Sequence, residues 1–210
     1  MIVQGSDEWK ALRLGKVTAS RVADVVARTK TGPAASRKNY AAQLIAERLT
    51  GVVVDGFQSK EMQHGTETEP QARAAYAFYA DADVEQVDFV PHPQIPMSGA
   101  SPDGLVGADG LVEFKCPNTA THIETLLGAP IAAEYITQMQ WQMACTGRQW
   151  CDFVSFDPRM PGNMQIFIQR VPRDDKRIAE LEEAVAAFLA EISLKVAALK
   201  ERYDPQAVAA

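Results

Sequence analysis

Three residues, Asp103, Glu113 and Lys115, have the types and the spacing to do chemistry. Asp103 lies in Ser101-Pro102-Asp103-Gly104-Leu105, which reads as a tight turn because Pro presets φ and Asp-Gly closes a bend easily. The other two lie in Val112-Glu113-Phe114-Lys115-Cys116-Pro117, a predicted strand that stops at Pro117, which has no N–H for a ladder. Side chains alternate along a strand, so Glu113 and Lys115 share one face and Phe114 takes the other. If the turn returns Asp103 to that face, two carboxylates and an ammonium converge. Such a cluster suits a hard divalent cation held by oxygen ligands, with the lysine beside it to handle a water. The same residues also suit a surface hairpin in which Asp103 only makes the turn and Glu113 and Lys115 form a solvated pair. On these residues alone both readings stand.

Composition narrows the classes. At 210 residues, 47% hydrophobic and 23% charged, the chain fits one large domain over 1–210, long enough to bury a core. No apolar run approaches the ~20 residues of a membrane span, and the N-terminus carries no signal-peptide pattern. Cys116, Cys145 and Cys151 have neither zinc nor C-x-x-C spacing and read as small packing residues in a reducing cytoplasm. A net charge of −6 argues against a nucleic-acid partner, but its distribution does not. Residues 1–40 hold eight basic residues against three acidic ones, a balance of +5, which leaves −11 on the rest. A local phosphate-binding surface on an acidic body has this asymmetry, and so do ordinary solvated helix charges.

The elements that must position the cluster follow from the flanking sequence. Ser6 as N-cap with Asp7 and Glu8 behind it predicts a helix whose Trp9 and Leu12 face inward beside Arg13. That helix breaks at Gly15, and a second starts with Thr18 or Ser20 as cap; its free N–H groups make a natural seat for a phosphate. Residues 28–38, including Lys30, read as a basic loop, and 39–50 as a helix stopped by Gly51. Thr66-Glu67-Thr68-Glu69-Pro70 has the capping-box pattern, predicting a long helix over about 66–79 with Glu69 in its first turn. Residues 84–90 and 94–98 read as two strands joined around Pro91-His92-Pro93, so Asp103 falls just past a strand end. His64, His92 and His122 are isolated and receive no catalytic role. Over 132–146 the period is helical, with Ile136, Met139 and Met143 on one stripe and Tyr135, Gln138 and Gln142 on another. Residues 149–156 and 164–171 read as strands, with a structural turn at Asp157-Pro158-Arg159. The last element, about 174–203, is an amphipathic helix expected to pack on its own domain through Ile178, Leu181, Val185, Phe188, Ile192, Val196 and Leu199.

Pro102-Asp103, nine residues, then Glu113-x-Lys115 resembles the core of the PD-(D/E)xK nucleases. Upstream, Trp9-Lys10-Ala11-Leu12-Arg13-Leu14-Gly15-Lys16-Val17-Thr18-Ala19-Ser20 resembles the opening motif of the YqaJ-like viral recombination nucleases, the family of phage lambda exonuclease. Gly65 and Glu69 with Ala72-Arg73, Tyr135 with Gln138, and Phe156-Asp157-Pro158-Arg159-Met160 resemble further pieces of that family in the same order.

The resemblance implies a restriction-endonuclease-like α/β core, a mixed central sheet flanked by helices. It also implies a Mg²⁺-dependent exonuclease, with Mn²⁺ as a substitute, that degrades one strand of linear duplex DNA from its 5′ end. Such an enzyme releases 5′-phosphomononucleotides and leaves a 3′ single strand for phage-type recombination by strand annealing. Asp103 and Glu113 would bind the metal with the Phe114 carbonyl as a third oxygen. Lys115 would orient or deprotonate the attacking water, and Glu69 would support the metal shell through water. Arg13, Ser20, Ser101 and Gln138 would hold the terminal phosphate, Tyr135 would stand near the scissile one, and Lys30 would contact a groove. Met62 falls where the family carries an apolar wedge between terminal base pairs. A ring-shaped homotrimer, a single-strand annealing partner, and a phage or prophage origin in a bacterial cytoplasm are expected by the same resemblance. The alternatives are a PD-(D/E)xK endonuclease and a non-catalytic protein that binds DNA ends. Three scattered cysteines disfavour an iron–sulfur nuclease. Asp103, Glu113 and Lys115 together disfavour a protein without catalysis, because an unused cluster crowds like charges.

Overall fold

The structure, a computed structural model, describes residues 5–54 and 60–203, apart from the side chain of Met62. Helix α1 (Asp7–Arg13) is capped by Ser6, whose hydroxyl accepts from the Trp9 amide. After Gly15, at φ +66°, come β1 (Val17–Thr18), a 3-10 turn (Ala19–Arg21) and the short helix α2 (Val22–Val26). The expected cap is not made. Thr18 makes no side-chain capping bond and α2 starts behind Arg21, so Ser20 sits within the turn. The stretch read as a basic loop is a hairpin of β2 (Arg28–Thr29) and β3 (Gly32–Pro33), with Lys30 exposed at its tip. Helix α3 (Ala35–Thr50) begins earlier than predicted and ends on Gly51 at φ +69°.

The largest departure is α4 (Lys60–Ala80). The capping-box pattern predicts a start at Thr66, yet the helix is already established there and carries Pro70 inside it. Proline withholds one rung of the ladder, and a cap motif is worth only ~1 kcal/mol. Ala72 and Tyr76, both fully buried against the sheet, hold the helix together past the proline. Beyond it, β4 (Val84–Glu85), β5 (Val90–Pro91) and β6 (Ser98–Ala100) replace the two predicted strands.

Next come β7 (Gly104–Val106) and β8 (Gly110–Lys115), then α5 (Thr119–Leu126) and α6 (Ala133–Thr146). The chain closes with β9 (Trp150–Phe156), β10 (Ile166–Pro172) and α7 (Asp175–Arg202). The tight turn expected around Asp103-Gly104 lies instead at Gly107, φ +54°, between β7 and β8; Asp103 is in the connection from β6. The turn at Asp157 is structural as expected: its carboxylate accepts from Arg159 and from Thr119.

Strands pair in the order β10-β9-β8-β7-β4, antiparallel except for the parallel pair β8–β9. Strands β1, β6 and β5 form a separate three-stranded sheet. Alternation along β8 sends Val112 and Phe114 to the α4 face, where they meet Ala72 and Tyr76. Leu111 goes to the opposite face, against Met139 and Met143 of α6 and Ile178 of α7. A third cluster joins α2, α3 and α7 through Val22, Leu44 and Phe188, so the last helix packs on its own chain. The result is a mixed sheet flanked by helices, with β8 at its centre and helices over both faces. No described helix is long and apolar enough to cross a membrane.

Candidate active site

Gly104 pairs with Val112 across the β7–β8 hairpin. The same register brings Asp103 beside Glu113, on the face shared with Lys115. Asp103 Oδ2 accepts the Phe114 N–H at 2.8 Å, which pins the carboxylate to the strand's own backbone. Glu113 Oε1 accepts from Lys115 Nζ and from Gln138 Nε2, each at 2.6 Å, and Oε2 accepts from Gln142 Nε2 at 2.6 Å. Gln138 Oε1 accepts in turn from Lys115 Nζ at 3.3 Å. The Tyr135 ring lies 4.6 Å from that ammonium and stacks on Phe153. A solvated surface pair is excluded, because Glu113 is only 1% exposed.

The other walls come from distant parts of the chain. Arg13, at the end of α1, lies over Trp9 at 4.0 Å and donates to Ser101 Oγ at 3.2 Å. Ser20 comes from the 3-10 turn, and Glu69 comes from α4, where it pairs with Arg73. These groups line one cleft of about 580 Å³, together with Asp103, Glu113, Phe114, Lys115, Tyr135 and Gln138. Lys30 is outside its lining, and the Met62 side chain lies outside the described residues.

The corner that aims Arg13 is fixed from behind. Glu47 Oε2 accepts the Gly15 N–H at 2.8 Å, and Arg48 Nε donates to the Gly15 carbonyl at 2.8 Å. A Cβ on Gly15 would stand 2.8 Å from Arg48 Cγ, and its φ of +66° suits only glycine comfortably. Nothing in the sequence marks Glu47 and Arg48, because their partner is a backbone unit more than thirty residues upstream. Gln142 belongs to a stripe that the helical period does reveal, but its bond to Glu113 depends on how α6 crosses the sheet. Arg73, the partner of Glu69, is one helical turn away and was within reach of the i,i+4 rule.

Charge is unevenly compensated. Burial, then the Glu113 and Glu69 carboxylates, push the Asp103 carboxyl well above its ordinary range. Burial also raises Glu69; Arg73 offsets part of this and Glu113 adds to it. Burial alone would lower the Lys115 pKa, but Glu113 and Asp103 outweigh it, so the amine is held protonated. Burial brings the Arg13 guanidinium down to about 10, and a cation so placed favours an anion beside it. The Cys116 thiol at the cleft edge is pushed up to about 12 by burial and then by Glu69 and Asp103, which leaves it inert.

This donor set fits a hard cation. Among the described residues no three His, Cys, Asp or Glu side chains stand together as a complete metal cage. Two carboxylates and a backbone carbonyl are nevertheless what Mg²⁺ needs, since it keeps several waters and takes few protein ligands. The crowding that drives Asp103 toward its neutral form is what a divalent charge would relieve.

The profile of the YqaJ-like viral recombinase domain matches residues 8–149. A search of curated proteins finds no match. Among solved structures, an alkaline exonuclease from Laribacter hongkongensis, LHK-Exo, is 56% identical with a TM-score of 0.88, covering 94% of this chain and 97% of that one. The same figures hold for its complex with dAMP. A phage-related exonuclease from Haemophilus somnus 129PT, 17% identical with a TM-score of 0.69, covers 88% of this chain and 96% of that one and shares the fold. The mixed sheet with its flanking helices is thus the restriction-endonuclease-like core, and the chain belongs to the YqaJ-like viral recombinase family.

Proposed function

We propose that this protein is a metal-dependent exonuclease that enters linear duplex DNA at a 5′-phosphorylated end and releases 5′-mononucleotides, leaving a 3′ single strand. The observation that carries the reading is one cleft joining a half-buried arginine, bonded to the Ser101 hydroxyl, to a cluster of two acids and a lysine. The first part suits a terminal phosphate and the second suits a phosphodiester one nucleotide further on. The likeness to an alkaline exonuclease crystallised with dAMP, a mononucleotide, agrees with this division.

Asp103 and Glu113 would hold Mg²⁺, with the Phe114 carbonyl as a third oxygen; when bound, the ion would activate a water and offset charge on the phosphorane. Arg13 and the hydroxyls of Ser20 and Ser101 bind the terminal phosphate, the guanidinium fork meeting two of its oxygens. Lys115, held as an ammonium, orients the water and donates to the phosphoryl oxygens as their charge grows, rather than taking a proton. Gln138 keeps Lys115 and Glu113 together, and the Tyr135 ring supports the ammonium. Glu69 adds negative charge at the far side of the acid pair. Hydrolysis breaks the P–O3′ bond, so the departing nucleotide keeps its 5′-phosphate and the shortened strand presents a new one to Arg13. A homotrimeric ring, a groove contact by Lys30, a wedge role for Met62 and an annealing-protein partner are proposed on the family resemblance alone.

The test uses linear duplex with 5′-phosphate or 5′-hydroxyl ends, and closed circles, each with Mg²⁺ or chelator. Mg²⁺-dependent loss of linear DNA with intact circles is expected; nicked circles would instead indicate an endonuclease, and binding without cleavage a non-catalytic end binder. Arg13→Ala should lower kcat/KM on 5′-phosphorylated ends by about 100-fold and on 5′-hydroxyl ends by much less, in keeping with one lost charge-assisted contact of about 3 kcal/mol. Equal losses on both substrates would remove Arg13 from the phosphate pocket.

A further inference from the structure

Helix α4 presents Glu61, Gly65 and Glu69 to the cleft, about one per turn. Glycine weakens a helix interior relative to alanine, so its presence there calls for a reason. Crowding is not that reason. At Gly99, Gly104 and Gly110 an added Cβ would run into Phe89, Val84 and Trp150, but at Gly65 it meets nothing within 4 Å among the described residues. Conformation is not the reason either, because Gly65 is helical and absent from the positive-φ glycines. Among the described residues nothing therefore demands glycine at this position, and Gly65 lines the cleft.

We infer that Gly65 is a clearance position, where the nucleoside of the terminal nucleotide passes against the bare backbone of α4. The inference rests on the nuclease reading and deepens it by naming what touches this wall. Glu61 and Glu69 flank Gly65 on the same stripe, and among the described residues α4 lends the cleft no basic side chain to seat a phosphate. The phosphates have their own seats across the cleft, at Arg13 and beside Lys115. The group that approaches α4 is therefore the uncharged sugar and base.

The experiment compares wild type with Gly65→Ala, Gly65→Leu and a bulk control, Ala74→Leu. Ala74 is exposed and lies nine residues on, half a turn round the same helix. Gly65→Ala should melt about 2–4 °C higher than wild type, because the helix gains propensity and no contact is strained. Its kcat/KM on 5′-phosphorylated duplex should nevertheless fall about tenfold, and that of Gly65→Leu about 100-fold, as added atoms displace the strand from its reacting position. End binding in chelator, read by fluorescence anisotropy, should weaken in the same order, while Ala74→Leu stays within about twofold of wild type. A stabilised Gly65→Ala that cuts and binds like wild type would overturn the clearance role, even if the leucine variant fails to fold. If wild type binds ends without cutting, the nuclease reading fails and the binding series still decides on Gly65. If wild type does neither, both fall.

Discussion

Lys115→Ala is expected to bind 5′-phosphorylated duplex ends within about threefold of wild type and to lose about 10³-fold in kcat, the scale of one lost donor to the charge that grows in the transition state. Binding should survive because Arg13 and Ser101, the proposed seat of the terminal phosphate, contact each other without Lys115. Turnover should collapse because Nζ donates to both Glu113 and Gln138 at the acid pair. Its charge state decides what kind of help it gives. Burial works against the ammonium, yet Glu113 and Asp103 hold it protonated. In the proposed reaction it serves as donor and fixed charge, and Lys115→Arg should recover more turnover than Lys115→Met, which fills the same space without charge. Removing the charge also leaves the Asp103, Glu113 and Glu69 carboxylates facing one another. Added Mg²⁺ should then raise the melting temperature of Lys115→Ala by more than it raises that of wild type. Single-turnover cleavage, anisotropy and melting curves with and without Mg²⁺ check all three statements, and an alanine variant that cuts at the wild-type rate would sink the role.

What the sequence made legible were the parts governed by short periods. Alternation in β8 placed Glu113 and Lys115 on one face and Phe114 on the other, as the structure has them. The helical period of α6 distinguishes Met139 and Met143, which enter the core, from Gln138 and Gln142, which donate to Glu113, although Tyr135 of the second stripe packs on the same core. The start of α4 departs from its capping-box pattern because a cap motif is a local preference, and the burial of Ala72 and Tyr76 outweighs it. Asp103-Gly104 makes no hairpin turn despite its turn residues, because Gly104 pairs with Val112 and the chain reverses only at Gly107. Contacts of long sequence separation left no trace at all. Glu47 and Arg48 clamp Gly15 from α3, and Tyr76 of α4 donates to Asp152 of β9 at 2.8 Å. No period or spacing couples such residues, since their meeting depends on how helices cross the sheet. Arg13, Ser20 and Glu69 are distant from Asp103 in the chain, and it was family likeness, not spacing, that pointed to them.

Glu113→Gln should fold, lose most of its affinity for divalent cations and fall by at least about 10³-fold in activity, because removing one of two carboxylates leaves a hard cation too few charged ligands. The fold is expected to survive for a specific reason. The wild-type carboxylate accepts from the side-chain amides of both Gln138 and Gln142, and a glutamine there brings an NH₂ that would face one of those donors. Gln142 Oε1 is buried without a hydrogen-bond partner among the described residues, so turning that amide gives the new NH₂ an acceptor. Metal-free, the variant should melt at or a few degrees above wild type, since burial and the Glu113 charge together drive Asp103 toward protonation and one of those causes is gone. Addition of Mg²⁺ should stabilise wild type and leave Glu113→Gln almost unmoved, because only binding to the folded state shifts the melting point. Calorimetric titration with Ca²⁺ or Mn²⁺ measures the affinity without turnover of DNA. Asp103→Asn should lose metal in the same way, its amide oxygen still able to accept the Phe114 N–H. If both variants bind metal as wild type does, the acid pair is not the metal site, and the negative charge gathered behind β8 requires another explanation.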